Sequence, residues 1–298
     1  MPAGEAGKGA IFYYGVTVHN TFLAVFFAFL SAMTIAWGTV VRHRIAEEAP
    51  DDGHQAFMTA IRRPLWWAGT STALIAYGLQ AVALGFGTLL VVQPILVLKL
   101  MLTFPLSAKY DGRRVTFDEM FWSAVLTVAV SVLVLLGRPT PGMVHPPLDR
   151  WIPALVIGVI VLASMLQFAK SQIRREKALI LGIVCGATFG YVSVLSKATV
   201  DVFVHNGWMG LVSNWEPYAL VLAASLGTVI QQYAFNAGAL KNSLPAMTIG
   251  EPIVAFALGY AVLGESFQVS GWSWVYMGSA LVAMCLATVA LSRKGIVE

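Results

Sequence analysis

Residues 217–263 read PYALVLAASLGTVIQQYAFNAGALKNSLPAMTIGEPIVAFALGYAVL, and this run decides the fold class. It contains one lysine, Lys241, and one carboxylate, Glu251. A bilayer core about 30 Å thick is crossed by about 20 residues of helix. The run is therefore long enough for two crossings and must contain a turn, which we place at Lys241–Ser243. Residues 65–108 form a second run of this kind, with a predicted turn at Gly85–Gly87.

The composition excludes most other classes of protein. Of the 298 residues, 58% are apolar and 11% are charged, against roughly 25% charged in soluble domains. A mean hydropathy of +0.74 also excludes a disordered chain. The net charge is +4, but the basic residues are scattered between apolar runs, so no nucleic-acid partner is expected. Cys185 and Cys285 lie inside apolar runs and indicate neither a disulfide framework nor a thiolate metal site.

The apolar runs predict an all-α integral membrane protein with nine transmembrane helices in one polytopic domain, residues 1–298. The predicted spans are residues 21–41, 65–84, 87–107, 120–137, 151–169, 179–198, 217–238, 243–263 and 271–291. The first span ends in Arg42 and Arg44 and is longer than the core of a secretory signal, so we expect it to remain as an anchor.

The placement of basic residues predicts the orientation. With nine spans, four of the nineteen Lys and Arg fall on the face of the amino terminus (Lys8, Arg138, Arg150, Lys197), and Lys99 falls inside a span. The other fourteen fall on the opposite face: Arg42, Arg44, Arg62, Arg63, Lys109, Arg113, Arg114, Lys170, Arg174, Arg175, Lys177, Lys241, Arg293 and Lys294. By the positive-inside rule the amino terminus is outside the cell membrane and the carboxy terminus is cytoplasmic.

A weak internal repeat relates the two halves. Leu90–Val97 in the third span matches Thr248–Val254 in the eighth, and an Ala-Leu pair precedes each. The offset of five spans is odd, so the matching helices cross in opposite directions. This predicts an inverted repeat of 4+1+4 helices, with repeat 1 at about 20–138, a linker helix at about 151–169 and repeat 2 at about 178–292. The alternative is that apolar helices resemble one another by composition alone.

Two ionisable residues, Lys99 and Glu251, are predicted to lie deep in spans. Each is eight residues from the cytoplasmic end of its helix, which places both about 12 Å from that face. A charge at such a depth costs at least about 2.5–3.5 kcal/mol and normally faces the bundle interior or water. We predict that Lys99 attracts an anionic or hydrogen-bonding substrate group. Glu251 would neutralise Lys99 at rest or take up a coupling proton; the alternative is a permanent ion pair that orients two helices.

Other polar residues and two prolines lie in the same group of spans. The predicted substrate-binding residues are Lys99, Glu251, Gln93, Gln232, Asn236 and Gln80, and the predicted hinges are Pro94 and Pro252. Gln232 and Asn236 share one helix face at about 100° per residue. Each proline removes a helix hydrogen bond and frees a carbonyl inside the membrane. The alternative for each amide is an interhelical hydrogen bond without a ligand.

The sequence lacks the residues that a metal site, a P-loop or a hydrolytic site would need. All five histidines and every carboxylate except Glu251 fall outside the predicted spans, so the interior offers no ligand set for zinc or di-iron. No G-x-x-x-x-G-K-[ST] or G-x-S-x-G motif is present. We therefore expect neither an enzyme, nor a metal site, nor a cofactor.

Three segments carry a resemblance to a known family: Gly87–Pro94, Ser243–Pro252 and Leu263–Glu265. They resemble the repeated EamA-type unit of the drug/metabolite transporter (DMT) superfamily, and the 4+1+4 layout resembles its nine-helix branch, which includes NIPA-type magnesium transporters. The resemblance covers nearly the whole chain. It implies a secondary carrier working by alternating access, with a small-molecule substrate, the lipid bilayer and a coupling proton as partners; an oligomer is compatible with it.

The residues leave the substrate class open. The single carboxylate and lysine suit a small organic, anionic metabolite. A Mg²⁺ carrier of the NIPA type ranks second. A hard divalent cation prefers several oxygen ligands, whereas the predicted interior offers one carboxylate and a lysine. A lipid-phosphate flippase and a membrane scaffold that transports nothing are also compatible with the residues.

Overall fold

The computed structural model describes residues 20–47, 64–110, 114–143, 145–237 and 240–294, which are mostly helical. The helices are α1 (Thr21–Glu47), α2 (Pro64–Phe86), α3 (Leu89–Val97), α4 (Lys99–Tyr110), α5 (Phe117–Gly137), α6 (Leu148–Lys170), α7 (Arg174–Ser213), α8 (Glu216–Ala237), α9 (Leu240–Leu258) and α10 (Ser273–Lys294). A π-helical turn, Gly259–Leu263, continues α9. The strands β1 (Pro139–Thr140) and β2 (Ser266–Phe267) pair antiparallel.

Within the described residues, six apolar helical segments have the length and composition to cross a membrane. They are Thr21–Gly38, Phe117–Gly137, Leu148–Lys170, Glu176–Ser213, Pro245–Leu263 and Ser273–Leu291. Many large apolar side chains point outward, including Ile152, Val156 and Ile160 on α6. Such a surface suits lipid rather than water. The prediction of an all-α membrane protein is confirmed.

The third predicted span, residues 87–107, is helical but interrupted. Helix α3 ends at Val97 and α4 begins at Lys99. At Leu98 the backbone amide donates to the Ile95 carbonyl, three residues back, at 3.0 Å. Pro94 lacks an amide of its own, and the change to a tighter turn follows four residues after it. The interruption places Lys99 at the start of a helix rather than in its middle.

The helix that contains the sixth predicted span, residues 179–198, is longer than that span. Helix α7 continues to Ser213, with a kink at Gly207, whose φ is +60°. Asp201 and His205 therefore lie in the same helix, beyond the bounds of the predicted span. Charged residues at the end of an apolar run usually indicate the start of a loop. Lys197 and Asp201, however, are four residues apart and can pair while the helix continues.

The turn predicted at Lys241–Ser243 lies a few residues earlier in the structure. Lys241–Ser243 lie inside α9, which begins at Leu240, while α8 ends at Ala237. Polar residues suit the first turn of a helix as well as a loop, because its amides lack partners within the helix. The other turn, predicted at Gly85–Gly87, lies within a residue of the break between α2 and α3.

Small residues bring the helices of each half close together. On α7, Gly182, Gly186 and Gly190 recur every four residues and face α9. A Cβ added to Gly186 would lie 2.6 Å from the Met247 carbonyl oxygen, so the two backbones are in direct contact. On α1 the corresponding surface is a row of fully buried alanines, Ala24, Ala28, Ala32 and Ala36.

Helix α3 occupies the middle of the bundle, and all nine of its residues are buried. It packs against α1, α5 and α9. Helix α1 contacts α2, α3 and α4, α7 contacts α8 and α9, and α5 packs against α10.

One end of the bundle is closed by contacts between segments that are distant in sequence. We call it the ribbon end; it comprises the β1–β2 ribbon, the turn 87–88 and residues 264–265. The Thr140 hydroxyl donates to the Ser266 carbonyl at 3.0 Å, and the Met143 amide donates to the Leu263 carbonyl at 2.7 Å. Leu89, at the start of α3, contacts Glu265 there.

Candidate functional site

The two ionisable residues singled out by sequence meet in the structure. The Lys99 Nζ lies 3.9 Å from the Glu251 Oε2, which joins the start of α4 to the middle of α9. Their side chains keep 26% and 22% of their surface exposed. The pair is therefore not sealed in the core.

A third helix supplies a hydroxyl to this pair. Ser193 of α7 is buried, and its Oγ donates to the Glu251 Oε1 at 3.5 Å. The close packing of α7 on α9 positions Ser193, because Gly190 lies against the Glu251 carbonyl. Lys99, Glu251 and Ser193 thus present an ammonium, a carboxylate and a hydroxyl from three helices. Such a group can bind a solute that carries both an anionic and a hydrogen-bonding function.

Gln93 lies in α3 and is only 1% exposed. Its Nε2 makes no hydrogen bond within the described part of the chain. A buried amide without a partner costs about 1–3 kcal/mol, so its retention suggests a partner such as water or a ligand. This is compatible with the substrate-binding role predicted for it.

The remaining predicted binding residues are less informative. Gln80 is buried in α2. Gln232 and Asn236 belong to α8, but their side chains lie outside the described part of the structure. Their predicted roles stay predictions.

The two prolines have different local effects. Pro94 precedes the interruption at Leu98 by four residues. Pro252 is inside α9, which continues past it and ends in the π-helical turn Gly259–Leu263. Only the first proline is followed by a break within one turn. A hinge at Pro252 stays a prediction.

A second ionic cluster lies at the ribbon end, and sequence reasoning missed it. Lys197 of α7 donates through Nζ to the Leu84 carbonyl at 2.6 Å and to the Asp201 Oδ1 at 3.1 Å. Lys197 and Asp201 are 6% and 4% exposed. The sequence placed Lys197 at the outer end of the sixth span, and α7 continues past it to Ser213.

Glu265 completes this cluster. It is 1% exposed, and its two carboxylate oxygens accept the amides of Leu89 at 3.0 Å and Leu90 at 3.2 Å. Burial raises the pKa of Glu265 to about 7, although these amides and the Lys197 ammonium act in the opposite direction. The carboxyl group thus replaces the Thr88 side chain as the cap of α3, since Thr88 forms no cap hydrogen bond.

One sequence signal did point toward the cluster. The Leu263-Gly264-Glu265 motif contributes to the family resemblance, but a carboxylate at the end of an apolar run, with no partner evident in the sequence, is typical of a solvated loop. The i,i+4 spacing of Lys197 and Asp201 is a second signal, typical of a paired helical lysine and acid.

No group of three or more His, Cys, Asp and Glu within the described ranges could hold a metal ion. The two cysteines, Cys185 and Cys285, are free thiols. The side chains at both ionic sites can attract charge, form hydrogen bonds and transfer protons.

Comparison with known proteins identifies a relative but no activity. The chain is 60% identical over 279 residues to an uncharacterized protein of Corynebacterium glutamicum, covering 93% of this chain and 96% of the relative. No protein-family model matches the chain, and no solved structure matches it.

Proposed function

The chain belongs to the same family as the uncharacterized Corynebacterium glutamicum protein, and we propose that it is a secondary transporter of the DMT type. It would move a small organic metabolite, with an anionic one favoured, across the cytoplasmic membrane by alternating access. The DMT type is what the resemblance of Gly87–Pro94, Ser243–Pro252 and Leu263–Glu265 to the EamA-type unit implies, and the relative's name adds no activity.

The packing of the two halves supports an inverted 4+1+4 repeat. Helices α1 and α7 carry small-residue rows and each packs on the next helices of its half, while α5 and α10 pack on each other. Helix α6 lies between the halves in sequence and supplies the crossing that would invert the second copy. In this arrangement the nine helical runs each cross the membrane, with α3 and α4 together making one crossing.

The charge distribution supports the orientation. Lys170 and Lys177 flank the turn between α6 and α7, at the end opposite the ribbon. By the positive-inside rule that end is cytoplasmic and the ribbon end is outside. The Lys99–Glu251 pair would then lie nearer the cytoplasm, and the Lys197 cluster nearer the outside.

The observation that carries the proposal is the partly exposed Lys99–Glu251 pair between repeat-equivalent helices. A buried and fully hydrogen-bonded ion pair is hard to separate, because removing one partner leaves an uncompensated buried charge. At 3.9 Å and about a quarter exposed, this pair is a weak contact that a solute can replace. An anionic group bound to Lys99 would release Glu251 from the lysine, and Glu251 could then keep its hydrogen bond from Ser193 or take a proton.

Alternating access follows from rearrangement at this pair. Lys99 belongs to the first half and Glu251 to the second, so separating them frees the two halves to rotate against each other. Binding of a solute between them would favour one arrangement by its differential affinity for the two states. The helix is interrupted at Leu98, so the Lys99 ammonium lies beside a point where the helix can bend.

The test is stabilisation of the purified protein by candidate solutes. The melting temperature would be measured across a panel of organic anions, neutral metabolites and divalent metals, for the wild type, Lys99→Ala and Glu251→Gln. Lys170→Ala and Glu176→Gln are matched controls, because both residues are exposed at the ends of helices. We expect an organic solute to raise the melting temperature of the wild type and both controls, and to have no effect on either site variant.

Three results would contradict the proposal. Stabilisation by Mg²⁺ that survives Lys99→Ala would favour a divalent cation carrier of the NIPA type. The absence of any stabilising solute in a protein that melts cooperatively would favour a scaffold. Stabilisation by lipid phosphates alone would replace the metabolite carrier with a flippase.

A further inference from the structure

Two polar contacts at the ribbon end join the first half of the chain to the second. The Glu265 carboxylate, just after the π-helical turn, accepts the amides of Leu89 at 3.0 Å and Leu90 at 3.2 Å. The Lys197 ammonium of α7 donates to the Leu84 carbonyl, near the end of α2, at 2.6 Å. Each contact therefore bridges a helix of one half and a segment of the other.

The Glu265 contact is a helix cap supplied from a distant part of the chain. Each carboxylate oxygen accepts one amide, which is the arrangement of an ionised carboxylate. The first amides of a helix have no partner within it, and the helix dipole adds attraction for a negative charge. Thr88, the residue at the cap position, forms no cap hydrogen bond of its own. Removal of Glu265 would therefore uncap α3, the helix buried at the centre of the bundle.

The ribbon end is sealed, whereas the Lys99–Glu251 pair is not. Glu265 and Lys197 are 1% and 6% exposed, and Thr88, between α2 and α3, is 4% exposed. The side chains of Lys99 and Glu251 keep 26% and 22% of their surface. Both sets of contacts join the two halves, but α3 separates Lys99 from the ribbon end. The two sets therefore lie at different depths of the bundle.

Opening the ribbon end would require the two halves to separate there. Helices α2 and α7 are close at this end, because a Cβ added to Gly85 would lie 3.2 Å from the Val200 Cγ1. Alternating access requires that contacts between the halves break on one side of the site while they form on the other. Ion pairs and hydrogen bonds between rigid helices suit this requirement, because they exchange between discrete arrangements.

We propose that Glu265 and Lys197 form a gate at the ribbon end of the carrier: this end is closed while the carboxylate caps α3 and the ammonium holds α2, and both contacts break when it opens. The inference rests on the proposed function for its meaning in transport. Under this assignment the structure is the conformation closed at the ribbon end. Glu265 and Lys197 are positioning residues, which act by holding α3 and α2 against the second half.

The test measures how readily a water-soluble reagent reaches position 88. Thr88→Cys places a thiol at this buried site, in a background with Cys185→Ala and Cys285→Ala. The Thr88 hydroxyl makes no hydrogen bond within the described residues, so the change removes little. A charged methanethiosulfonate reagent would be applied to substrate-free protein in lipid nanodiscs, where both faces are accessible. The labelling rate reports how often the ribbon end opens.

Two gate variants should label faster than the parent protein. Glu265→Gln should raise the rate by about tenfold or more, because glutamine has no charge and one acceptor oxygen for two amides. Lys197→Met/Asp201→Asn should also raise the rate, because methionine cannot donate to the Leu84 carbonyl. The asparagine leaves no buried charge unpaired in this double variant. It gives an independent result if Glu265→Gln does not fold.

Two controls separate gating from a general loosening of the bundle. Glu119→Gln changes another buried carboxylate that caps a helix, α5, but its partner Thr116 is three residues away in the same half. It should leave labelling at position 88 unchanged. Ala129→Cys moves the thiol to a buried position in the middle of α5, where neither gate variant should raise the rate.

The gate is rejected if either gate variant folds and labels position 88 at the parent rate. It is also rejected if labelling of Ala129→Cys rises as much as labelling of Thr88→Cys. The measurement uses no solute, so its failure leaves the transporter proposal standing. The expected labelling in a protein that no solute stabilises would reject the carrier and keep the two contacts as the element that closes this end.

Discussion

Lys197→Met is expected to lower the free energy of unfolding by about 3–5 kcal/mol, because it removes the cation from a group of buried acidic side chains. Asp201 loses the ammonium at 3.1 Å, and the Leu84 carbonyl loses its donor at 2.6 Å. Methionine preserves most of the side-chain volume, so the loss reports charge and hydrogen bonding rather than a cavity. Thermal and denaturant unfolding of the purified protein would measure it.

Lys99→Met is the matched control for this prediction. Lys99 contacts Glu251 at 3.9 Å and keeps 26% of its side chain exposed, so its removal should cost about 1 kcal/mol or less. Lys197→Met/Asp201→Asn should recover part of the stability, since it also removes a buried negative charge that the lysine had neutralised. Equal losses in the two single variants would show that the Lys197 cluster is not the stronger ionic site.

Gly186→Ala is expected to destabilise the protein by about 1–3 kcal/mol through overpacking. The new Cβ would lie 2.6 Å from the Met247 carbonyl oxygen and 3.0 Å from its Cα, both backbone atoms of α9 that cannot move without shifting the helix. Because α9 carries Glu251, the shift should also weaken solute stabilisation at the Lys99–Glu251 site. Melting temperature with and without solute measures both effects.

Gly278→Ala provides the comparison for a helical glycine. Gly278 is exposed on α10, and nothing lies within 4 Å of an added Cβ. Alanine is the better helix former, so this variant should melt at or above the wild-type temperature. A Gly186→Ala protein as stable as Gly278→Ala would contradict the close contact of α7 and α9.

The sequence predicted the helical runs correctly because helix formation in a membrane depends on residues within one short segment. A helix of about 20 apolar residues is stable in a bilayer because its own backbone groups bond within it, so hydropathy alone located the helical runs. Hydropathy did not predict the interruption at Leu98, the continuation of α7 past residue 198 or the helical state of Lys241–Ser243. In each case the local pattern permits either a helix or a break, and contacts outside the segment select one.

The two ionic sites illustrate the same limit. Lys99 and Glu251 are conspicuous in the sequence because each is a charge inside an apolar run, and their matching depth follows from counting residues. Lys197 is predicted at the very end of a span, and Asp201 and Glu265 just outside one, because each lies near the end of an apolar run. Their burial depends on partners up to 176 residues away along the chain, as in the bond between Glu265 and Leu89.

The sequence by itself determined that this is a helical membrane protein, where its helical runs lie, and which two charges lie deep in the predicted spans. These properties depend on the free energy of transferring short segments between water and lipid. The tertiary structure decided which helices touch, whether Lys99 reaches Glu251, and that a carboxyl group of one half caps a helix of the other. Such contacts depend on how closely backbones approach, and small residues such as Gly186 permit that approach only when the facing helix is in register.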